Sequence, residues 1–214
     1  RPTYGRVSKY GAMTLSWTLD KIGPLARTAE DCALVLQVLA GIDPDDDSTV
    51  DAAFRLERDA PQPARPLKLA MLTEGLDRVQ PEVAANFRAA VDVLRDQSEI
   101  VEASLPPDLP YNTTADLILS AEGAAAYESL VREEQIEAMT AEEDRWRIYS
   151  DLMIPAVDYL QALRVRRLIQ RRLDDWLKPF DALLAPTLST VAGPVSESFA
   201  RWSAGFGSTQ LGGA

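Results

Sequence analysis

The residue types available for catalysis are restricted in this chain, because none of its 214 residues is histidine. Without histidine, a Ser-His-Asp triad, a Cys-His pair and a histidine-bound metal ion cannot form within the chain. Acid–base chemistry must then rest on Asp, Glu, Lys or Tyr side chains. Lysine is the scarcest of these, since of the 22 basic residues only four are lysines: Lys9, Lys21, Lys68 and Lys178.

Three local clusters carry groups that react or bind metal in other proteins. Ser8 and Lys9 could be a nucleophile and its base. Adjacent residues of an extended chain point in opposite directions, however, so we interpret their proximity in sequence as chance. The acidic run Asp43–Asp47 lacks the alternating ligands and the closing glutamate of a calcium loop, so it predicts an acidic turn. Cys32 lies in an apolar segment without a basic neighbour, which predicts a buried structural thiol.

Composition indicates an ordinary globular chain. Apolar residues make up 46% and charged residues 26% of the sequence. The net charge of −11 opposes nonspecific binding to nucleic acid or anionic membranes. There is no apolar run of about 18 residues and no signal-peptide pattern. We therefore expect a soluble cytoplasmic protein that uses no cofactor and no metal.

Apolar patterns along the chain predict an α/β fold. The apolar run Leu67–Leu72, a helix over Pro81–Asp96 and the alternating segment Ile100–Ala103 together indicate a right-handed βαβ crossover. Its first turn lacks the glycines of a dinucleotide site, so it is interpreted as a packing unit. A helix is predicted over Ala29–Ala40 and is expected to be buried on most faces, because its run Ala33–Ala40 is apolar nearly all round. Two more helices are predicted over Thr113–Ala138 and Pro155–Leu177, and one more strand over Ala182–Ala185.

Several motifs then resemble one known family. Arg1–Ser8 (RPTYGRVS) resembles the KPTYGRVS segment of the amidase signature family. Leu19–Asp31 is similar to that family's LDxxGPxxRTxED stretch, and Ala40–Asp46 to its AGxDPxD stretch. Weaker similarities follow in the family's order at Ser120–Ala124, Tyr159–Ala162 with Arg164, and Asp181–Thr187.

The resemblance implies that residues 1–214 are a fragment of one amidase domain with a partial amidase-signature fold, in which mixed-sheet strands are covered by long helices. Residues 1–59 would supply a loop and a buried helix, and residues 60–214 the βαβ unit, long helices and a late core strand. Enzymes of the family cleave carbon–nitrogen amide bonds with a Ser-Ser-Lys triad in a Gly/Ser-rich signature. That signature would precede this segment, so the chain itself is expected to carry no catalytic residue and to be inactive alone.

The resemblance also places substrate contacts at Tyr4 and Thr187, which would bind a small amide in the complete enzyme. Asp20 and Arg27 are expected to pair and to fix the shape of their loop. No nucleic acid or membrane is expected to bind, and self-association through exposed sheet surface is expected. Two other functions stay open: the glutaminase subunit of a tRNA-dependent amidotransferase, and a non-catalytic interaction module.

Overall fold

A computed structural model describes residues 1–57, 64–139 and 142–196, without the side chains of 142–144. The described residues divide into two compact units. The first unit comprises residues 1–57, 118–138 and 147–154, and the second comprises the other described residues. The elements along the chain are α1 (Ala29–Leu39), β1 (Leu67–Leu72), α2 (Pro81–Arg95), β2 (Ser98–Ala103), α3 (Tyr111–Ala126), α4 (Glu128–Arg132), a 3-10 turn (Ile136–Ala138), α5 (Glu142–Asp151), α6 (Ala156–Leu177) and β3 (Ala182–Leu184).

A parallel sheet of order β2-β1-β3 forms the core of the second unit. β1 pairs with β2 from Leu67 opposite Ser98, and with β3 from Leu69 opposite Ala182. As the central strand, β1 buries consecutive residues, and Ala70 is 0% exposed. Burial on both faces explains why β1 is a continuous apolar run, as strands of parallel sheets usually are. The predicted α/β fold and the parallel strand–helix–strand unit are confirmed.

α2 connects β1 to β2 and begins where the sequence predicts. Pro81 stands in the first turn, where its missing N–H costs nothing and its fixed φ favours the helix. Ala84 and Val91 are the buried residues of this helix. The helix lies against β2.

The predicted helix Thr113–Ala138 is wrong as one element, because the chain forms α3, α4 and a 3-10 turn over this range. Tyr127 leaves helical geometry at ψ 15 and makes the first break. Glu134 then adopts φ 57, and the amide of Gln135 donates to the Leu130 carbonyl at 2.8 Å. A left-handed residue followed by such a bond ends a helix. The composition of this range favours helix throughout, and neither break is marked by a glycine, so the sequence predicts one continuous helix where the chain forms shorter ones.

The prediction that the first helix is buried is also wrong. α1 contains no buried residue, and Val38 is 84% exposed. Cys32, predicted to be buried, is only half-buried. An apolar helix surface is buried only where another segment packs against it. The described residues do not cover most of α1 in this way. The start of the helix is as predicted, since the Thr28 hydroxyl accepts from the Asp31 amide at 3.0 Å.

Within the described ranges, no helix combines the length and the apolar character needed to cross a bilayer.

Candidate functional site

The N-terminal loop packs against the acidic turn of the first unit. Gly5 adopts φ +78, and a Cβ at its position would lie 2.4 Å from the carbonyl oxygen of Ser48. The Gly5 carbonyl accepts from the amide of Val50 at 2.9 Å. Only glycine combines this φ with such a close backbone approach. The residues that follow the acidic turn thus lie against Gly5, the neighbour of Tyr4 in the chain.

Lys9 lies at the centre of a polar cluster formed with Tyr4, Asp46 and Ser48. Its Nζ is 2.5 Å from Ser48 Oγ, 3.3 Å from the Tyr4 hydroxyl and 4.5 Å from the centroid of the Tyr4 ring. Asp46 Oδ2 is 3.7 Å from the same Nζ. The pKa of Asp46 is lowered to about 2, first by the hydrogen bond from the Lys9 amide and then by the Ser48 hydroxyl. Asp46 is therefore an ionised partner of Lys9 across the working pH range.

This cluster does not have the chemistry of a serine nucleophile with a lysine base. A lysine base must be neutral, whereas Lys9 lies beside an ionised carboxylate. The Ser48 hydroxyl donates to Asp46 Oδ1 at 2.6 Å, so its proton is already engaged. Ser8, the residue next to Lys9, instead accepts from the amide of Tyr10 at 3.0 Å. The cluster holds two loops together.

Tyr4 contacts two residues that line a cavity of the first unit. Its hydroxyl donates to the carbonyl of Trp17 at 2.8 Å, and its ring lies under Lys9. Lys9 and Trp17 both border a cavity of about 170 Å³. The other residues of this wall are Ala12, Met13, Thr14, Asp20, Lys21 and Ile22. Tyr4 therefore acts on the cavity through Lys9 and Trp17, and a direct substrate contact stays a prediction.

Asp20 shapes its loop, but with a different partner from the one predicted. Its Oδ2 accepts from the amides of Leu15 at 2.8 Å and Ser16 at 3.0 Å. Among the ion pairs of the described residues there is none between Asp20 and Arg27, so that pairing was wrong. Two amides only four and five residues away satisfy the carboxylate locally, as Asp side chains commonly do in turns.

Glu122 of α3 binds the same loop from outside. Its carboxylate accepts from the Ser16 hydroxyl at 2.6 Å, the Thr18 amide at 2.9 Å and the Thr18 hydroxyl at 2.8 Å. Glu122 lies in the segment Ser120–Ala124, which resembles a family motif, and no role was predicted for it. The contact joins residues 104 and 106 positions apart, and nothing in the local pattern marks it.

Thr187 lines a cavity of about 480 Å³ in the second unit. The segment after β3 forms one wall and α2 forms the other, where Val83 and Phe87 contribute apolar surface. Gln80 holds the segment in place. Its backbone amide donates to the Ser189 carbonyl at 2.8 Å, and its side-chain Oε1 accepts from the backbone amide of Val191 at 2.9 Å. The cavity opens beyond the carboxyl end of a parallel strand, the usual position of ligands in open α/β sheets.

Asp181 fixes the start of β3 beside β1. The Arg65 guanidinium donates to both of its carboxylate oxygens at 2.7 and 2.9 Å, and the Lys68 amide donates at 2.8 Å. The Arg65 bonds are the main reason that the pKa of Asp181 is lowered. This register sets where the strand ends, and Ala185, Pro186 and Thr187 then follow as part of the cavity wall.

Across the described residues, no group of three or more cysteine and carboxylate side chains is arranged to hold a metal ion.

Comparison with known proteins identifies the family. The Amidase family profile matches residues 1–204, so the chain belongs to the amidase family. An amidase of Pseudomonas putida is 37% identical over 94% of this chain and 44% of its own length. A glutamyl-tRNA(Gln) amidotransferase subunit from Roseiflexus sp. strain RS-1 is 34% identical over 91% of this chain and 45% of its own length. The chain thus spans less than half the length of these relatives.

Solved structures agree on the fold. A glutamyl-tRNA(Gln) amidotransferase subunit from Thermotoga maritima matches with a TM-score of 0.69 and 26% identity, over 93% of this chain and 44% of that one. A bacterial aryl acylamidase of the amidase signature enzymes family matches with a TM-score of 0.68 and 22% identity, over 88% of this chain and 41% of that one. The family and the fold class predicted from the motifs are confirmed.

Proposed function

We propose that this chain supplies part of an amidase that hydrolyses carbon–nitrogen bonds of small amides. The similarity to the Pseudomonas putida amidase over 94% of the chain carries the proposal. The chain would form pocket walls, while the nucleophile and its base come from outside residues 1–214. The surroundings of Lys9 and Ser48 support this division. Although Lys9 Nζ is close to Ser48 Oγ, Asp46 accepts the hydrogen bond of the Ser48 hydroxyl and forms an ion pair with Lys9. The proposed compartment is the cytoplasm, which a single cysteine suits.

The two cavities support a role in binding. Thr187 offers a hydroxyl beside the apolar surface of Phe87 and Val83, which suits an amide with an apolar substituent. In the first unit, Lys9, Trp17 and Asp20 present charged and aromatic groups around the smaller cavity. Tyr4 would act there through Lys9 and Trp17.

A second function is favoured by the relatives named as amidotransferase subunits. The Roseiflexus sequence and the Thermotoga maritima structure both carry that name, at 34% and 26% identity. In that case the amide would be glutamine, and the ammonia released would serve a partner protein. Turnover of glutamine but not of simple amides distinguishes this function from a general amidase.

The function is tested with the protein expressed from its complete reading frame. We expect ammonia release from aliphatic or aryl amides, or from glutamine, and none from the 214-residue chain alone. In the complete protein, Thr187→Val should raise KM or change the order of preferred amides with little change in stability. Thr113→Val, an exposed threonine of α3, is the matched control.

Two outcomes contradict this proposal. One is a complete protein without turnover on any of these amides. The other is amide turnover by the isolated chain that a serine-directed phosphonate abolishes. Unchanged kinetic constants in Thr187→Val would remove Thr187 from the pocket while leaving the amidase function in place.

Exposed apolar surface supports the proposed self-association of the isolated chain. Leu67 and Leu183 of the sheet are 40% and 39% exposed, and Val38 of α1 is more exposed still. Such surface promotes contact with other chains. We expect sedimentation to show oligomers that bind a hydrophobic dye, and Val38→Glu to reduce dye binding. A monomer that binds no dye would contradict this.

A further inference from the structure

Glu122 is a buried acid that has no role in the function proposed above. It lies in the part of α3 that belongs to the first unit, and it is 3% exposed. Burying a carboxylate is unfavourable unless hydrogen bonds replace its water shell. Here Oε2 accepts from the Ser16 hydroxyl and the Thr18 amide, and Oε1 accepts from the Thr18 hydroxyl. The donors that compensate its burial thus include three from one short loop segment.

The loop is also held at neighbouring points by the same region of the chain. A Cβ on Gly123 would lie 3.3 Å from the carbonyl oxygen of Leu15, so the helix backbone approaches the loop closely. The Tyr127 hydroxyl donates to the carbonyl of Thr14. On the inside of the loop, Asp20 binds the amides of Leu15 and Ser16. Ser16 is 0% exposed as a result.

Residues of this loop also line the smaller cavity. Trp17 stands between the two residues that Glu122 holds, and it lines the cavity. The carbonyl of Trp17 also accepts the Tyr4 hydroxyl at 2.8 Å. A shift of Ser16 or Thr18 must therefore move Trp17 and the hydrogen bond of Tyr4.

We propose that Glu122 is a positioning residue that fixes residues 14–20 and thereby the shape of the cavity beside Trp17, which selects the amide substrate. The proposal rests on the proposed amidase function. Glu122 is not among the residues that line this cavity, and it acts through Ser16, Thr18 and Trp17.

Glu122→Gln and Glu122→Ala separate positioning from charge. In the glutamine variant, the amide oxygen replaces Oε2 as acceptor, and the amide nitrogen donates to the Thr18 hydroxyl, which is able to accept. The alanine variant leaves the donors of Ser16 and Thr18 without this partner. Glu137→Gln, at an exposed glutamate of the same unit, is the control.

Hydrogen exchange in the 214-residue chain tests the loop directly. We expect Glu122→Ala to speed exchange of the Thr18 amide by about tenfold relative to amides of β1. In the variant, local opening of the loop does not have to break the hydrogen bond from the Thr18 amide to Glu122. Glu122→Gln and Glu137→Gln should leave it within about twofold. If Glu122→Ala does not fold, Thr18→Val takes its place. It removes the contact of the Thr18 hydroxyl with Glu122 and keeps that of the amide, so it should speed amide exchange in the loop to a smaller extent.

Steady-state kinetics of the complete protein test the effect on substrate. Glu122→Ala should raise KM by about tenfold with kcat changed far less, and Glu122→Gln should restore KM. A loss of thermal stability with unchanged KM, or unchanged exchange of Thr18, would overturn the proposal. If the wild type turns over no amide, the proposed function fails, and the exchange comparison still decides whether Glu122 holds the loop.

Discussion

Gly5→Ala is expected to lower the free energy of unfolding of the first unit by about 3 kcal/mol, because it adds a clash to an unfavourable backbone conformation. The new Cβ would lie 2.4 Å from the Ser48 carbonyl oxygen, which is backbone and has no rotamer to move away. The residue must also keep φ +78, which L-residues disfavour. Urea denaturation followed by circular dichroism measures the change.

Gly11→Ala provides the matched control. Gly11 has φ +76, nearly the same as Gly5, but a Cβ there meets nothing within 4 Å. Its loss should be about 1 kcal/mol, the conformational part alone. Equal losses in the two variants would show that the contact with Ser48 contributes nothing.

Asp46→Ala is expected to lower the free energy of unfolding by about 2 kcal/mol, because three partly buried donors lose a charged acceptor. The Lys9 amide donates to Oδ2 at 2.8 Å, and the Ser48 amide and hydroxyl donate to Oδ1 at 3.0 and 2.6 Å. Asp45→Ala, at the exposed neighbouring aspartate, should change stability by less than about 0.5 kcal/mol. Similar losses in both variants would contradict this assignment.

The same carboxylate makes stability depend on pH in the acid range. The pKa of Asp46 falls from its ordinary 3.8 to about 2 in the folded chain. A lowered folded-state pKa stabilises above the unfolded value, and this contribution is lost as the pH falls through the folded value. Wild type should therefore lose stability between about pH 4 and pH 2 more steeply than Asp46→Ala. Parallel melting curves for the two proteins across this window would contradict the prediction.

Local pattern predicts the elements of the second unit well. The apolar run and the helical stripe place β1 and α2 within a residue of their observed bounds, because burial in and against the sheet imposes those patterns. Contacts between distant segments are invisible to such patterns. Lys9 meets Ser48 across 39 residues, and Glu122 meets Ser16 across 106. The candidate site depends on these contacts, so sequence alone names Tyr4 without its surroundings.

Helix ends and burial fail for a related reason. The stop at Glu134 uses a left-handed glutamate, which has no strong sequence signal. The exposure of α1 depends on which segment covers it, and apolar composition does not encode that segment. Asp20 found its partners among neighbouring amides, where charge alone favoured Arg27.

The strand order β2-β1-β3 also sets the sequence of events during synthesis. β1 and β2 are adjacent in the chain apart from α2, so their pairing completes early and locally. Among the described residues, the other edge of β1 pairs with β3 alone, and the bond from Lys68 to Asp181 closes a span of 113 residues. Until the ribosome has released that segment, this edge of β1 lacks the partner strand that it has in the folded chain. We therefore expect nascent chains to be more prone to aggregation until β3 is available to pair with β1, beside the bidentate Arg65–Asp181 contact.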